Sequence, residues 1–119
     1  MAYDMVDAND LPAEGPGGAV RFVRRRLNAS AFGINLYHLG PGDIGREHDE
    51  SETGQEEVYV VVEGSGTMTI DGEVVPLRSG MFVRVDPDST RVPVAGDAGL
   101  TFVAVGSPRG RPYEPRGPF

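Results

Sequence analysis

The side chains best suited to chemistry lie between residues 42 and 64 of this chain. The sequence of 119 residues contains no cysteine and only two histidines, His38 and His48. His48 lies in a segment rich in Asp and Glu that ends at Glu57. An imidazole beside carboxylates can transfer protons or ligate a divalent metal ion. The lack of cysteine excludes thiolate catalysis and disulfide bonds.

The spacing within this segment resembles the first motif of the cupin family. Five residues separate Gly42 from His48, and six separate Glu57 from Gly64, as at the two ends of that motif. Gly80 stands where the second cupin motif would begin. The resemblance covers roughly residues 30–105. It implies a jelly-roll β-barrel, in a family whose small members are often dimers.

The resemblance also implies a mononuclear metal site of three histidines and one glutamate, and this chain departs from that set. Counted forward from His48, the second histidine position holds Glu50. Counted back from Glu57, the histidine pair falls on Glu50 and Glu52. Arg91 replaces the histidine of the second motif. A guanidinium is always protonated and has no lone pair to donate to a metal, so the full ligand set is missing.

We therefore expect a polar centre without a tightly bound metal or other cofactor. The resemblance places Glu57 and Arg91 inside the barrel, facing each other, with His48 nearby. A buried carboxylate without a cation is costly, so we expect the two to form a bidentate ion pair. The alternative is a divalent metal ion held by water, His48, Glu57 and either Glu50 or Glu52.

Two functions are compatible with this centre. The first is small-molecule binding, for which the candidate residues are His48, Glu57, Arg91 and the walls Tyr59, Met68, Phe82 and Val83. Tyr59 alternates in phase with Glu57 and shares its side of the strand. The second is an enzyme in which His48 and Glu57 act as acid and base in isomerisation, epimerisation or lyase chemistry. Beyond these two candidates the sequence assigns no catalytic residue.

Short strands separated by turns are predicted to position these residues. Apolar or alternating runs occur at 20–27, 32–39, 57–63, 66–70, 73–77, 81–85, 90–95 and 100–105, separated by Gly, Pro and Asp. Asp71-Gly72 predicts a type I′ hairpin turn. No window keeps a helical period over three turns, so the pattern predicts an all-β sandwich or barrel. The basic run at 21–26 is interpreted as an edge strand protected by its charges, or as a match for the acidic loop 43–57.

The barrel is expected to span residues 20–106, between a flexible N-terminal arm at 1–19 and a proline-rich tail at 107–119. Residues 58–62, Val-Tyr-Val-Val-Val, are apolar on both faces of a strand and need cover on the outer face. The arm or the tail could supply that cover. A second copy of the chain is the favoured interpretation, and we expect a homodimer.

The charge of the chain limits its partners. The formal net charge of −7 disfavours nucleic acid and anionic lipid. No apolar run approaches the ~20 residues of a membrane helix, and the N-terminus lacks the profile of a signal peptide. We therefore expect a cytoplasmic protein whose partner is a small-molecule ligand.

Overall fold

The computed structural model describes residues 2–117. Its strands and α-helix are, in chain order, β1 (Val20–Arg21), α1 (Val23–Leu27), β2 (Gly33–Leu39), β3 (Gln55–Ile70), β4 (Glu73–Arg78), β5 (Phe82–Val85) and β6 (Arg91–Pro108). Two 3₁₀ helices, Ala8–Asp10 and Pro16–Gly18, precede β1.

The strands pair in the order β1-β2-β6-β3-β4, and β5 lies alongside β3. Every pair is antiparallel. The long strands β3 and β6 pair along most of their length and bend together, which folds the sheet over its own core as a jelly roll. This confirms the predicted all-β fold class.

Two glycines on β3 allow the bend. A Cβ atom on Gly64 would lie 2.1 Å from the carbonyl oxygen of Gly99, and one on Gly66 would lie 2.1 Å from that of Val94. The register with β6 is irregular in the same stretch. Such bulges turn a strand without ending it. The runs predicted as four strands, at 57–63, 66–70, 90–95 and 100–105, are therefore two continuous bent strands.

The turn between β3 and β4 is the one predicted from Asp71-Gly72. Both residues have positive φ angles, 48° and 85°. Asp71 also exchanges hydrogen bonds with Thr90, because its N–H donates to the Thr90 carbonyl and its Oδ1 accepts from the Thr90 N–H, both at 2.9 Å. The turn thereby fixes the start of β6, where Arg91 lies.

The interpretation of residues 21–26 as an edge strand is wrong. Only Val20–Arg21 is extended, and Val23–Leu27 form α1. Asn28 ends the helix in the left-handed conformation, with φ 55°, and its N–H donates to the Arg24 carbonyl. Arginine is a good helix former and is favourable near a helix C-terminus, but one helical turn is too short to produce a readable apolar period.

The two ends of the chain are held to the barrel at identifiable points. Leu11 is buried, and Glu14 and Val20 pair through both backbone hydrogen bonds. β6 continues through Pro108, which lies opposite Gln55 of β3. Pairing of β6 with β2 has already ended at Gly106, so no β2 residue needs the backbone N–H that proline lacks. The last two residues of the tail, including Pro118, lie outside the described residues. The flexibility of the arm and the division at 19 and 106 stay predictions.

The core and the outer face divide the apolar residues of β3 as alternation requires. Tyr59 and Val61 are buried in the core, together with Met68, Leu77, Val85, Leu100 and Phe102 among others. On the outer face Val62 is 46% exposed, and Phe82 of the neighbouring β5 is 71% exposed. Tail residues from Pro108 to Tyr113 form a surface hollow with Val58. Among residues 2–117 there is no helix with the length and apolar character needed to span a bilayer.

Candidate functional site

The segment before β3 places His48 beside the first residue of β6. His48 and Arg91 exchange both backbone hydrogen bonds, at 3.1 and 2.9 Å, as a directly opposed antiparallel pair. The side chains of such a pair point to the same side. Because Arg91 is fully buried, this backbone pairing directs the His48 ring toward the barrel interior.

The ion pair expected between Glu57 and Arg91 is present. Arg91 Nη2 donates to Glu57 Oε1 at 2.9 Å. Tyr59 lies between them, since its hydroxyl donates to the same Oε1 at 2.5 Å and accepts from Arg91 Nε at 3.2 Å. The placement of Tyr59 on the same side as Glu57 is therefore correct, and Tyr59 contributes hydrogen bonds as well as a wall.

The expected bidentate geometry is wrong in one respect. Arg91 gives only Nη2 to the carboxylate, because the Tyr59 hydroxyl takes Nε. Nη1 points to the loop between β5 and β6 and donates to the carbonyls of Asp86 at 3.3 Å and Ser89 at 2.7 Å. Each of the three guanidinium nitrogens thus donates at least one hydrogen bond, and the side chain links the lumen to that loop.

His48 contacts two carboxylates in the lumen. Its Nε2 lies 3.4 Å from Glu50 Oε2 and 3.5 Å from Glu57 Oε1. Its Nδ1 lies 3.4 Å from the carbonyl oxygen of Arg46. Of the two alternatives left by the sequence, Glu50 joins the cluster, whereas Glu52 is exposed on the loop. We call His48, Glu50, Glu57, Tyr59 and Arg91 the lumen cluster.

The surroundings of Glu57 keep it ionised. Burial by itself would raise the pKa of Glu57, but hydrogen bonds with His48, Tyr59 and Arg91 outweigh it and hold that pKa below the ordinary value. Burial and the charge of Glu57 raise the pKa of the Tyr59 hydroxyl, which therefore keeps its proton and donates. Burial would lower the pKa of Arg91, but its contacts with Tyr59 and Glu57 raise it.

The structure divides the residues predicted as walls. Phe82 does not lie with the others: it is 71% exposed on the outer face, while Val83 packs against the core. Successive residues of a strand point to opposite faces, so Phe82 and Val83 cannot both line the lumen. Met68 is fully buried among core residues. A role for Met68 in binding stays a prediction.

Sequence reasoning missed Tyr37 on β2. Its ring stacks on Phe102 at a centroid distance of 5.2 Å. Burial raises the pKa of Tyr37, and the charge of Glu57 raises it further. The signal available was its alternation in phase with the buried Leu39.

A jelly-roll barrel with a histidine, a glutamate and the second-motif residue gathered in its lumen is the architecture of a small cupin. The chain belongs to the cupin family, since the family described as "Cupin domain" matches residues 35–106. The chain is also similar to the dimethylsulfoniopropionate lyase DddW of Ruegeria pomeroyi. The two are 31% identical over 106 residues, which cover 82% of this chain and 67% of that lyase.

Solved structures have the same fold. A cupin protein from Bacteroides fragilis superposes with a TM-score of 0.77 at 24% identity, covering 98% of this chain and 92% of that one. A predicted oxalate decarboxylase from Thermotoga maritima has a TM-score of 0.71 at 20% identity, covering 87% and 97%. Likeness at these identities establishes the architecture and leaves the chemistry to the residues of the site.

Cupins often bind a metal, and the lumen cluster provides part of such a site. One ligand atom each from His48, Glu50 and Glu57 lies within 4.8 Å of the others, close enough to surround an ion. The fourth position, however, holds Arg91, whose Nη2 is 2.9 Å from the carboxylate oxygen that faces His48. A permanent cation there repels a dication and cannot ligate it. The residues therefore do not fit the family's site of three histidines and a glutamate.

Proposed function

We propose that this cupin binds a small polar molecule at the lumen cluster, without a tightly bound metal ion. The observation that supports the proposal is the position of Arg91, which is fully buried and paired with Glu57 Oε1 at 2.9 Å. A buried carboxylate needs a compensating positive charge. Because the guanidinium supplies that charge permanently, Glu57 stays ionised and oriented with no metal present.

The accessible side of the cluster is formed by His48 and Glu50. Their side chains are 21% and 16% exposed, in contrast to the buried Arg91. An imidazole and carboxylate oxygens recognise hydroxyl and ammonium groups. The ligand class is therefore a small molecule with hydrogen-bond donors, for which sugars, hydroxy acids and amino compounds are the first candidates.

Binding is tested with a pair of variants that differ only in the face of β3 they alter. Glu57→Gln removes the lumen carboxylate, and Glu56→Gln makes the same change on the outer face, where Glu56 pairs with Arg84 and Arg109. A thermal-shift and calorimetric screen of sugars, carboxylic acids and amines should find ligands lost in Glu57→Gln and retained in Glu56→Gln. Ligands that bind equally to both variants would contradict the proposal.

The metal is tested separately by elemental analysis of protein purified without added metal. We expect far less than one equivalent of any transition metal. Arg91→His restores an imidazole at the second-motif position and should bind Ni²⁺ or Zn²⁺ at least tenfold more tightly than the natural protein. Close to one equivalent of metal in the natural protein would overturn the metal-free half of the proposal.

A proton-transfer lyase is the second candidate function. It is favoured by the similarity to DddW, whose name gives its substrate as dimethylsulfoniopropionate. In this chain His48 would be the acid–base group, because its side chain, 21% exposed, is the most accessible in the cluster, and Glu57 would orient it. Consumption of that substrate, followed by NMR and abolished in His48→Asn, would establish the activity; substrate left intact at high protein concentration would remove this candidate.

We also propose that a second copy of the chain covers the outer face of β3 and β5. Val62 and Phe82 expose large apolar surfaces there, and the tail residues 108–113 line a hollow with Val58 at one end of the face. Removing such surface from water favours association.

A further inference from the structure

A second polar cleft opens at the mouth of the barrel, next to the lumen cluster. It has a volume of about 390 Å³ and lies between the ends of β2, β3 and β6 and the loop that follows α1. Its polar side chains are those of Arg24, Ser30, Asn35 and Gln55, and Gly106 also lines it. The loop is held to β6 because the Ser107 hydroxyl donates to the Ala31 carbonyl at 3.2 Å.

Gly106 connects this cleft to Glu57. A Cβ atom placed on Gly106 would lie 2.7 Å from Gln55 Oε1 and 3.4 Å from Glu57 Oε2. The side chains of the cleft residue Gln55 and the cluster residue Glu57 therefore meet beside Gly106, which they can approach this closely because residue 106 has no side chain. Gln55 thus places this end of the cleft directly beside the lumen carboxylate.

The polar groups of the cleft differ along its depth. At the rim, Arg24 is exposed and supplies a positive charge. Deeper, Asn35 Oδ1 is buried and has no hydrogen-bond partner among residues 2–117. A buried acceptor without a partner costs about 1–3 kcal/mol, and a donor on a ligand would remove that cost. Together with Gln55 Oε1 and Glu57 Oε2, it makes the deep end rich in acceptors.

From this polarity we infer that the ligand is a small carboxylate that also carries a hydroxyl or ammonium group. Its carboxylate pairs with Arg24 at the rim, where a guanidinium offers paired donors. Its hydroxyl or ammonium group donates to the acceptors next to Gly106. The inference rests on the proposed function, because it assumes that Glu57 takes part in binding, and it adds the second anchoring point and the charge of the ligand.

The test uses compounds that carry both groups and compounds that carry one. Lactate, 3-hydroxybutyrate, alanine and 4-aminobutyrate have both; propionate, butyrate, 2-butanol and butylamine have one. Binding is measured by calorimetry and by chemical-shift changes in ¹H–¹⁵N spectra. We expect at least one compound of the first group to bind tenfold or more tightly than its truncated counterparts.

Three variants locate the anchoring groups. Arg24→Gln should weaken the selected compound at least fivefold, whereas Arg26→Gln removes the same charge from the same helix outside the cleft and should change its affinity less than twofold. Gly106→Ala puts a methyl group 2.7 Å from Gln55 Oε1 and 3.4 Å from Glu57 Oε2, so it displaces these acceptors and should weaken binding at least tenfold. Gly106 has no positive φ angle, so the backbone accepts alanine, and the ¹H–¹⁵N spectrum reports whether that variant is folded.

The possible results separate the two proposals. Binding that depends on Glu57 but is unchanged in Arg24→Gln, or that is equally tight for butylamine or 2-butanol, overturns the inference and leaves the proposed function intact. If no compound of any class binds in a manner that depends on Glu57, both proposals are wrong.

Discussion

Replacing Arg91 by methionine should reveal how strongly the lumen cluster depends on its internal cation. Methionine keeps an unbranched side chain of similar reach but removes four hydrogen bonds, to Tyr59, Glu57 and the carbonyls of Asp86 and Ser89. Breaking a buried ion pair by removing one partner costs about 3–5 kcal/mol, because the remaining charge is uncompensated. The Glu57 side chain is 14% exposed, so water partly solvates the remaining charge. We therefore expect Arg91→Met to lower the free energy of unfolding by about 3 kcal/mol.

The assay is urea unfolding followed by far-UV circular dichroism, since the chain has no tryptophan. Adding Glu57→Gln to Arg91→Met removes the stranded charge and should recover about 1–2 kcal/mol, a coupling expected of groups in direct contact. The decrease in the free energy of unfolding caused by Arg91→Met should also become smaller in acid, because protonation of Glu57 removes the unpaired charge. A loss below about 1 kcal/mol, or no recovery in the double variant, would refute the reasoning.

Further predictions concern acidity, the core and the outer face. The pKa of Glu57 is held below its ordinary value of 4.5, so its stabilising contribution is complete above that pH and is lost as the pH falls through the lowered value. In Glu57→Gln the free energy of unfolding should therefore fall less steeply as the pH is lowered. If it falls as steeply as in the natural protein, other carboxylates cause the loss of stability in acid. Met68→Ala empties a fully buried position and should cost about 2–4 kcal/mol in urea unfolding; a cost below about 1 kcal/mol would mean that the site collapses or is loosely packed. Phe82→Glu should convert the proposed dimer to a monomer in light scattering, with the barrel still folded, and an unchanged mass would place the interface elsewhere.

The residues of the site were largely accessible to sequence reasoning, whereas their contacts were not. Strand alternation alone predicts that Glu57 and Tyr59 point to the same side of β3, and in the structure both face inward. The cupin spacing placed Arg91 opposite Glu57. Nothing in the spacing chose between Glu50 and Glu52, because both lie in the loop that precedes β3. The backbone hydrogen bonds from this loop to Arg91 and Pro87 decide which carboxylate turns inward.

Local pattern was misleading where an element is short or is fixed by its neighbours. The five residues of α1 read as an edge strand because one helical turn shows no period. The outward position of Phe82 follows from the pairing of β5 with β3, in which Phe82 lies opposite the outward Val60. Similarly, the bend at Gly64 and Gly66 joins runs that the intervening glycines seemed to separate.

By itself, the sequence determined the strand class, the Asp71-Gly72 turn and a lumen chemistry based on carboxylates, one imidazole and a guanidinium. These depend on residue type and on spacing along a single strand, which are local properties. The tertiary structure decided which atoms meet. Arg91 and Glu57 are 34 residues apart and lie on different strands, and their contact exists because β3 and β6 bend together. That bend leaves Tyr59 between them, so the guanidinium shares its donors among a carboxylate, a phenol and two carbonyls.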